Sequence, residues 1–489
     1  MKKVLIFVLI YFLICPTPVI FAAITATTAW EVRSGSAATN GGGFDIATAG
    51  TNMAIFDNKN AAGCSSCQSA SVNISTTDAV TNGTTTITSA TANFSSAIVG
   101  NVIYVTGGTG SITAAWYQVA TFTNSTTIVV DRSTGLTTGT GATMNIGGAL
   151  DLPTTANSVP VVAGNTIWVK GASYTVANAT YANGTVSAPI WWVGFTSTHG
   201  DGGKATLVAS GSSGQMITSG NYNRWNNWTW DANGATTAAE GCFTAAQGTT
   251  ADNIECKNYE AATGISGAAL GTFTNLYSHD GRSGCTQAVS NPARLSKFVI
   301  DTQPCIGIAF TSGSCTNACN LTVENGIIRN GTGATGHGIS STVTSGGVII
   351  ERVTIDTMAG DAILCSGADV CVNTVGRNLI LSNITGTALN SSTTDYTAAQ
   401  YTAFGFDYIG FYNNGTNRTR IPAGAHDVTI SAQPYIAAGT NYGLNSIGGA
   451  QVRGLGWPGT FQGLTSTVDY GDLGAAQAQS VASTRGYAQ

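Results

Sequence analysis

Charge is what this sequence has least of. Only 9% of its 489 residues are Asp, Glu, Lys or Arg, and no basic run occurs anywhere in it. Nucleic-acid binding, which rests on a clustered basic surface, is therefore disfavoured. The few charges lean acidic, with 24 acidic against 19 basic groups. So little charge would suggest disorder in a chain that was also poor in hydrophobic residues, but at 43% hydrophobic this one can bury a core. Its length is too great for one small domain and ample for a large core. Small side chains replace the missing charged ones: 62 glycines, with Thr, Ser, Ala and Asn crowding the rest, a composition that suits a stacked β surface.

Between Gly241 and Asn414 one short pattern returns: Gly beside a small apolar run, a loop, a second apolar run, then Asn or Asp. The openings read GCFTAA from Gly241, TGISGAA from Thr263, GCTQAV from Gly284, IGIAF from Ile306, HGISS from His337, DAILC from Asp361 and TALNS from Thr387. The second runs read NIECKN, NLYSHD, KFVIDT, GIIRNG, RVTIDT, NLILSN and YIGFYN. With Ile254, Leu276, Phe298, Ile328, Val353, Leu379 and Ile409 as equivalent positions, the steps are 22, 22, 30, 25, 26 and 30 residues, a solenoid period stretched where loops have grown. Inward apolar and outward polar residues alternate within each second run, as in Ile254 and Cys256 around Glu255, which is the period of a strand. A strand this short cannot bury a face alone. Stacked on its counterpart one coil away, it satisfies its backbone groups and extends one apolar column. Gly and Asn at the corners supply the φ > 0 bends.

On these runs the sequence resembles the right-handed parallel β-helix, or pectin-lyase-like, proteins. WEVRSGSAATNGGGFD from Trp30 resembles the opening of secreted bacterial and phage β-helix proteins, mostly of uncharacterised function, and YGDLGAAQ from Tyr470 resembles their terminal Asp-x-Gly-Ala-x-Gln segment. The resemblance implies an all-β fold. Residues 71–150 differ in texture: TTTITSA, NVIYVTGG, AWYQVATF and TTIVVDR are short strands split by turn residues, as in a small antiparallel β cap or insertion. The expected organisation is a signal peptide over 1–22, a lead-in with a disulfide loop over 23–70, the cap or insertion over 71–150, the parallel β-helix over 151–435, and a closing segment and tail over 436–489. The first coils are expected near Ile167.

The N-terminal stretch has Lys2 and Lys3, an apolar run from Val4 to Ile14, Pro16 and Pro18, then Ala22 and Ala23 as cleavage positions, and it reads as a secretory signal peptide. An uncleaved anchor is the competing reading, weakened by the two prolines and the short apolar run. Export would leave ten cysteines, an even number that favours disulfides. Cys64 with Cys67, Cys315 with Cys319 and Cys365 with Cys371 stand out as close pairs. Zinc-ribbon spacing is missing, so local disulfides are preferred to metal. Cys242, Cys256, Cys285 and Cys305 either pair or fill the interior. No metal or other cofactor is expected.

Candidate chemistry lies on the outer face of the coils. The residue just after the inward pair is Lys257, His279, Asp301 and Asp356 in four coils, with Arg329 one position away in the coil between the two aspartates. Asp301 and Asp356 would then stand two coils apart, roughly 9.6 Å at about 4.8 Å per step. That is near the upper end of the carboxylate separation of an inverting glycosidase. His279 and Arg329 would bind an acidic sugar or stabilise charge, with Lys257 beside them. Trp228 and Trp230, alternating with Thr229, are either sugar-stacking indoles or filling for a wide coil, the second being preferred. Gly336-His337-Gly338 resembles the Gly-His-Gly motif of polygalacturonases, which makes His337 a substrate-binding candidate. That family's Asn-Thr-Asp, Asp-Asp and Arg-Ile-Lys motifs are missing, and the Gly-Ile corner of the repeat explains the motif by itself.

The reading that follows is an extracellular or virion-associated surface protein that recognises polysaccharide or a cell-surface glycan without catalysis. A polysaccharide hydrolase or lyase and a purely structural stalk are the alternatives. Phage β-helices often trimerise, so a homotrimer is the assembly the resemblance implies.

Overall fold

The structure is a computed structural model. It describes residues 24–49, 67–453, 460–461 and 464–465, apart from 111, 136, 212–213, 234–239, 261–262, 269–270, 302–303, 312–319, 334, 345–346, 368–369 and 393–404. The expected signal peptide and the YGDLGAAQ segment lie outside the described residues. The chain forms two compact units, one of Met1–Glu31, Gly35–Asp151 and Ser158–Val162, the other of Val32–Ser34, Leu152–Asn157 and Ala163–Gln489. No helix of the described residues is long and apolar enough to cross a membrane.

In the first unit, the expected antiparallel sheet closes on itself. Strands Ile74–Asn82, Thr86–Thr88, Thr127–Val130, Ala115–Asn124, Val102–Thr106 and Thr138–Ile146 follow one another around a six-stranded barrel. Its interior is Ile87, Ile103, Val105, Tyr117, Ile128, Met144 and Ile146, all buried. Closure leaves no edge strand unpaired, which lets a sheet of short Thr-rich strands stand without a large core.

The second unit is a parallel β-solenoid. One sheet stacks the repeat's openings, among them Glu240–Thr244, Thr263–Ser266, Gln287–Ser290, Ile306–Phe310, Ile339–Ser341, Ile363–Cys365 and Thr387–Ser391. The other stacks the second runs from Thr166–Lys170 through Asn223–Asp231, Thr250–Lys257, Thr272–His279, Arg294–Ile300, Asn320–Gly331, Gly347–Met358 and Thr374–Ile384 to Gly405–Tyr412. The long strands have two arms. In the early coils the arms are separate strands, Ile190–Phe195 and Ala205–Ala209, which pair with the first and second halves of Asn223–Asp231. From there on a left-handed residue joins them: Asn227, Asn253, Asn275, Lys297, Asn325, Arg352, Asn378 and Tyr408 follow in register and all have positive φ. Asn dominates because its short polar side chain tolerates this conformation best after Gly, and here it also bonds its neighbours, as Asn253 Nδ2 does to Asn227 Oδ1 at 2.9 Å.

The interior column runs Trp228, Ile254, Leu276, Phe298, Gly326, Val353, Leu379 and Ile409. The expected equivalences hold except in the coil after that of Phe298, where Gly326 takes the place assigned to Ile328. The cause is steric. A Cβ on Gly326 would lie 1.9 Å from Phe298 Cε1, so the phenyl ring of one coil occupies the side-chain space of the next.

Trp228 and Trp230 are both wholly buried, which corrects their assignment as substrate-binding residues. They point inward because the first interior coils are wide. Trp192 stacks on Trp225 at 5.3 Å and Trp230 on Phe243 at 4.5 Å, while Trp228 Nε1 donates to the Trp192 carbonyl at 3.0 Å. Two disulfides fasten this region. Cys242–Cys256 crosses the interior within one coil, and Cys285–Cys305 joins the starts of two neighbouring short strands, Gln287 pairing with Ile306. Cys67 is also disulfide-bonded. Cys64, Cys315 and Cys319 lie outside the described residues. Cys365 and Cys371 correct an expectation: they are buried thiols in mutual contact, and that hydrogen bond together with burial pushes the Cys365 thiol well up.

Trp228→Ala should cost about 3–5 kcal/mol of unfolding free energy in denaturant titration, as removal of a fully packed indole does. It should leave glycan retention by the folded fraction unchanged. Loss of retention without loss of stability would restore Trp228 to the binding surface.

Candidate functional site: an outward polar row

The outward position two residues before the end of each coil's second arm is occupied in register by Thr229, Glu255, Tyr277, Val299, Ile327, Thr354 and Ile380; the last outward position carries Asp231, Lys257, His279, Arg329, Asp356 and Ser382. Asp301 directly follows the strand and falls between His279 and Arg329, because Ile300 pairs with Ile328. The row expected from the repeat therefore exists, with one correction: Arg329 stands in it, between the two aspartates, rather than one position away. Its two halves have different surroundings.

In the first half, Lys257 Nζ lies 3.7 Å from Asp231 Oδ2 on the preceding coil. His279 is held from both sides, Nδ1 at 2.7 Å from Asp280 Oδ2 and Nε2 at 3.1 Å from Glu255 Oε1, and its ring stacks on Tyr277 at 4.3 Å. Burial lowers the imidazole's affinity for a proton, but the hydrogen bonds to Glu255 and Asp280 outweigh it and the net shift is upward. Glu255 is its counterpart. The His279 hydrogen bond takes the carboxyl down to about 2 against the opposing effect of burial, helped by the Thr229 hydroxyl, which donates to Oε2 at 3.0 Å, and by the charges of Lys204 and Lys257. Both carboxylate oxygens are thus engaged and ionised. Lys204 is pulled down by burial, partly countered by Glu255. Glu255, Asp280 and Asp231 belong to this site but were not among the candidates. Glu255 was within reach of sequence reasoning, as the outward residue between Ile254 and Cys256.

In the second half, the row is covered. Asp301 accepts from Arg329 Nη2 and Asn330 Nδ2, both at 2.7 Å. Asp356 is 1% exposed and accepts from Ser382 Oγ, Asn383 Nδ2 and the Tyr442 hydroxyl, each at 2.7 Å. The Tyr435 hydroxyl lies 2.9 Å from Ser382 Oγ. Arg329 Nη1 donates to the Gly439 carbonyl at 2.6 Å, and the guanidinium sits 5.7 Å from the Tyr442 ring centroid. The covering element is the antiparallel pair Tyr435–Ala437 and Asn441–Leu444, whose Tyr435, Tyr442 and Leu444 pack with Ile327, Ile380, Tyr408, Ile430 and Val452. Asp356 is therefore an anchor for this hairpin and not an accessible acid, which corrects its pairing with Asp301 as a catalytic couple. Tyr442 was invisible in the sequence. It is 86 residues from its partner, and no repeat links them.

His337 stands apart from the row, at the entry to Ile339–Ser341. Its Nδ1 accepts from the Asp361 backbone N–H at 3.0 Å, and burial shifts the imidazole toward its neutral form. Among the described residues this is a corner contact: a Cβ on the adjacent Gly338 would lie 2.6 Å from the Ala362 carbonyl.

Glu255 and His279 give stability a pH window. The depressed Glu255 contributes above its ordinary value of 4.5, and that contribution is lost as pH falls toward about 2. The raised His279 contributes fully below its ordinary 6.5 and loses that contribution as pH rises through its folded value. The stability difference between wild type and His279→Gln, from denaturant titration, should therefore be greatest between 4.5 and 6.5 and shrink on either side; a flat difference would show that His279 stays neutral. Tyr442→Phe deletes one donor to a buried carboxylate and should cost about 1.5–3 kcal/mol, with faster hydrogen exchange confined to the hairpin.

No family model matches the sequence, and no curated protein matches it. Among solved structures, the chain is similar to the tailspike protein gp49 of Pseudomonas phage LKA1, at 12% identity over 71% of this chain and 66% of the tailspike, just under two thirds of its length, with a TM-score of 0.21. It is similar to the catalytic domain of a GH87 alpha-1,3-glucanase at 12% identity over 72% and 89% of the two chains, TM-score 0.32. It is also similar to the PL6 family alginate lyase AlyGC at 10% identity over 58% and 53%, TM-score 0.24. At these identities and TM-scores the likenesses carry no argument about this chain.

Proposed function

We propose that the protein is an extracellular surface protein that recognises polysaccharide along the half of its outward polar row that the hairpin leaves uncovered, without cleaving it. The observation that carries this reading is the row itself. It presents charged and hydrogen-bonding side chains once per coil, at a rise of about 4.8 Å, so a polymer lying along it meets comparable groups at successive units. Tyr277 and the stacked His279 add a flat partner for a sugar ring. Disulfides within the solenoid fit an oxidising compartment.

The state of the carboxylates favours recognition over hydrolysis. An inverting hydrolase needs one carboxyl kept protonated opposite an ionised one. Glu255 is driven the other way, Asp301 is paired with Arg329, and Asp356 is enclosed.

The test is chromatography of the purified protein on immobilised acidic and neutral polysaccharides, with reducing ends and the ultraviolet absorbance of unsaturated uronates monitored in parallel. At least one glycan should be retained with neither product formed. The Lys257→Ala, His279→Ala double variant should then lose about tenfold in affinity, ~1.4 kcal/mol. New reducing ends or absorbance would replace this reading with a hydrolase or a lyase.

A further inference from the structure

The covered half of the row holds more polar chemistry than adhesion requires. Beside it, Ile327 and Ile380 meet the hairpin through apolar contacts, which would suffice to fasten it. Enclosing Asp356 and Arg329 under the same hairpin adds desolvation that apolar neighbours would avoid. Arg329 Nε is buried without an acceptor. The hairpin forms a two-stranded sheet of its own, with Tyr435 opposite Leu444 and Ala437 opposite Asn441, and it joins neither solenoid ladder, so it is held to the row without ladder hydrogen bonds. Such a pair is marginal by itself, so its docking depends on its side-chain contacts with the row.

What the hairpin offers to the row has a recognisable chemistry. Asp356 and Ser382 receive tyrosine hydroxyls, and Arg329 receives a single carbonyl oxygen, from Gly439. A uronic sugar carries the same two functions, hydroxyls and an acceptor oxygen, but its acceptor is a carboxylate. A carboxylate can engage a guanidinium through two oxygens and is the stronger partner.

We infer that Asp301, Arg329, Asp356 and Ser382 form a second saccharide site, specific for a uronic-acid-bearing chain, which the hairpin Tyr435–Leu444 occupies in place of its ligand. This rests on the polysaccharide reading above and extends it. The uncovered half of the row makes first contact, and a chain extending along it displaces the hairpin to reach Arg329.

The experiment compares wild type with the Tyr435→Ala, Tyr442→Ala double variant, reading hairpin opening by hydrogen exchange over residues 435–444 and binding by retention on polygalacturonate, alginate and neutral dextran. The expected result is faster exchange, retention of a uronic polymer raised about tenfold over wild type, dextran unchanged, and loss of the gain when Arg329→Gln is added. Faster exchange with unchanged uronate retention overturns the inference while leaving wild-type recognition on Lys257 and His279 intact. No retention by either protein overturns both. Should the double variant melt, Tyr442→Ser, which removes the ring and keeps a hydroxyl, supplies a milder opening read by the same outcomes.

Discussion

Parallel pairing from coil to coil is the constraint from which the rest follows. Each strand finds hydrogen-bond partners only in the coil before and the coil after, so every side chain becomes a member of a column at a spacing of about 4.8 Å. Inward columns must be apolar throughout or glycine where a neighbour intrudes, as Gly326 is for Phe298. Outward columns must avoid like charges stacked without compensation, and where Glu324 stacks on Glu351 the guanidinium of Arg352 meets both. The polar row obeys this. Asp231 faces Lys257, Asp301 faces Arg329, and His279, which follows Lys257 with the same sign, is compensated by Glu255 and Asp280. The same rule makes Asn the preferred bend residue, since a short amide in one coil can bond the amide above it.

Column logic also limits what the row can do chemically. Charges that neutralise one another along the stack are poor acids and bases but good hydrogen-bonding partners for a ligand that spans several coils. In the first half the partners are half-buried and no hairpin lies over them. In the second, Tyr442 and Gly439 supply the bonds a ligand would otherwise make. One periodic feature thus acquires two roles from a segment that is itself aperiodic.

What was legible in the sequence is what the period controls. The openings and second runs fall on the strands of the two sheets because each is a local alternation bounded by Gly or Asn, and Lys257, His279, Asp301 and Asp356 share a row because they follow the inward pair at a fixed offset. The register slipped only at Ile328, where a glycine took the inward place and hid the pattern. Three things lay beyond the period. Exposure of Trp228 and Trp230 depended on coil width, which the Trp225 and Phe243 rings set together. The fate of Asp356 depended on Tyr442, far along the chain. The closure of residues 74–146 into a barrel depended on how the last strand, Thr138–Ile146, meets both Ile74–Asn82 and Val102–Thr106, which no local turn encodes.

Among the described residues, two disulfides constrain the solenoid differently. Cys242–Cys256 closes one coil on itself, whereas Cys285–Cys305 bolts a coil to its successor. A solenoid pulled along its chain unravels one coil at a time, each released strand exposing the next ladder to the load. Unravelling from the C-terminal side would meet a covalent bond at the coil of Ile306–Phe310. Load then passes through the disulfide from Cys305 to Cys285, so the stretch between the two cysteines carries none of it while the bond is intact.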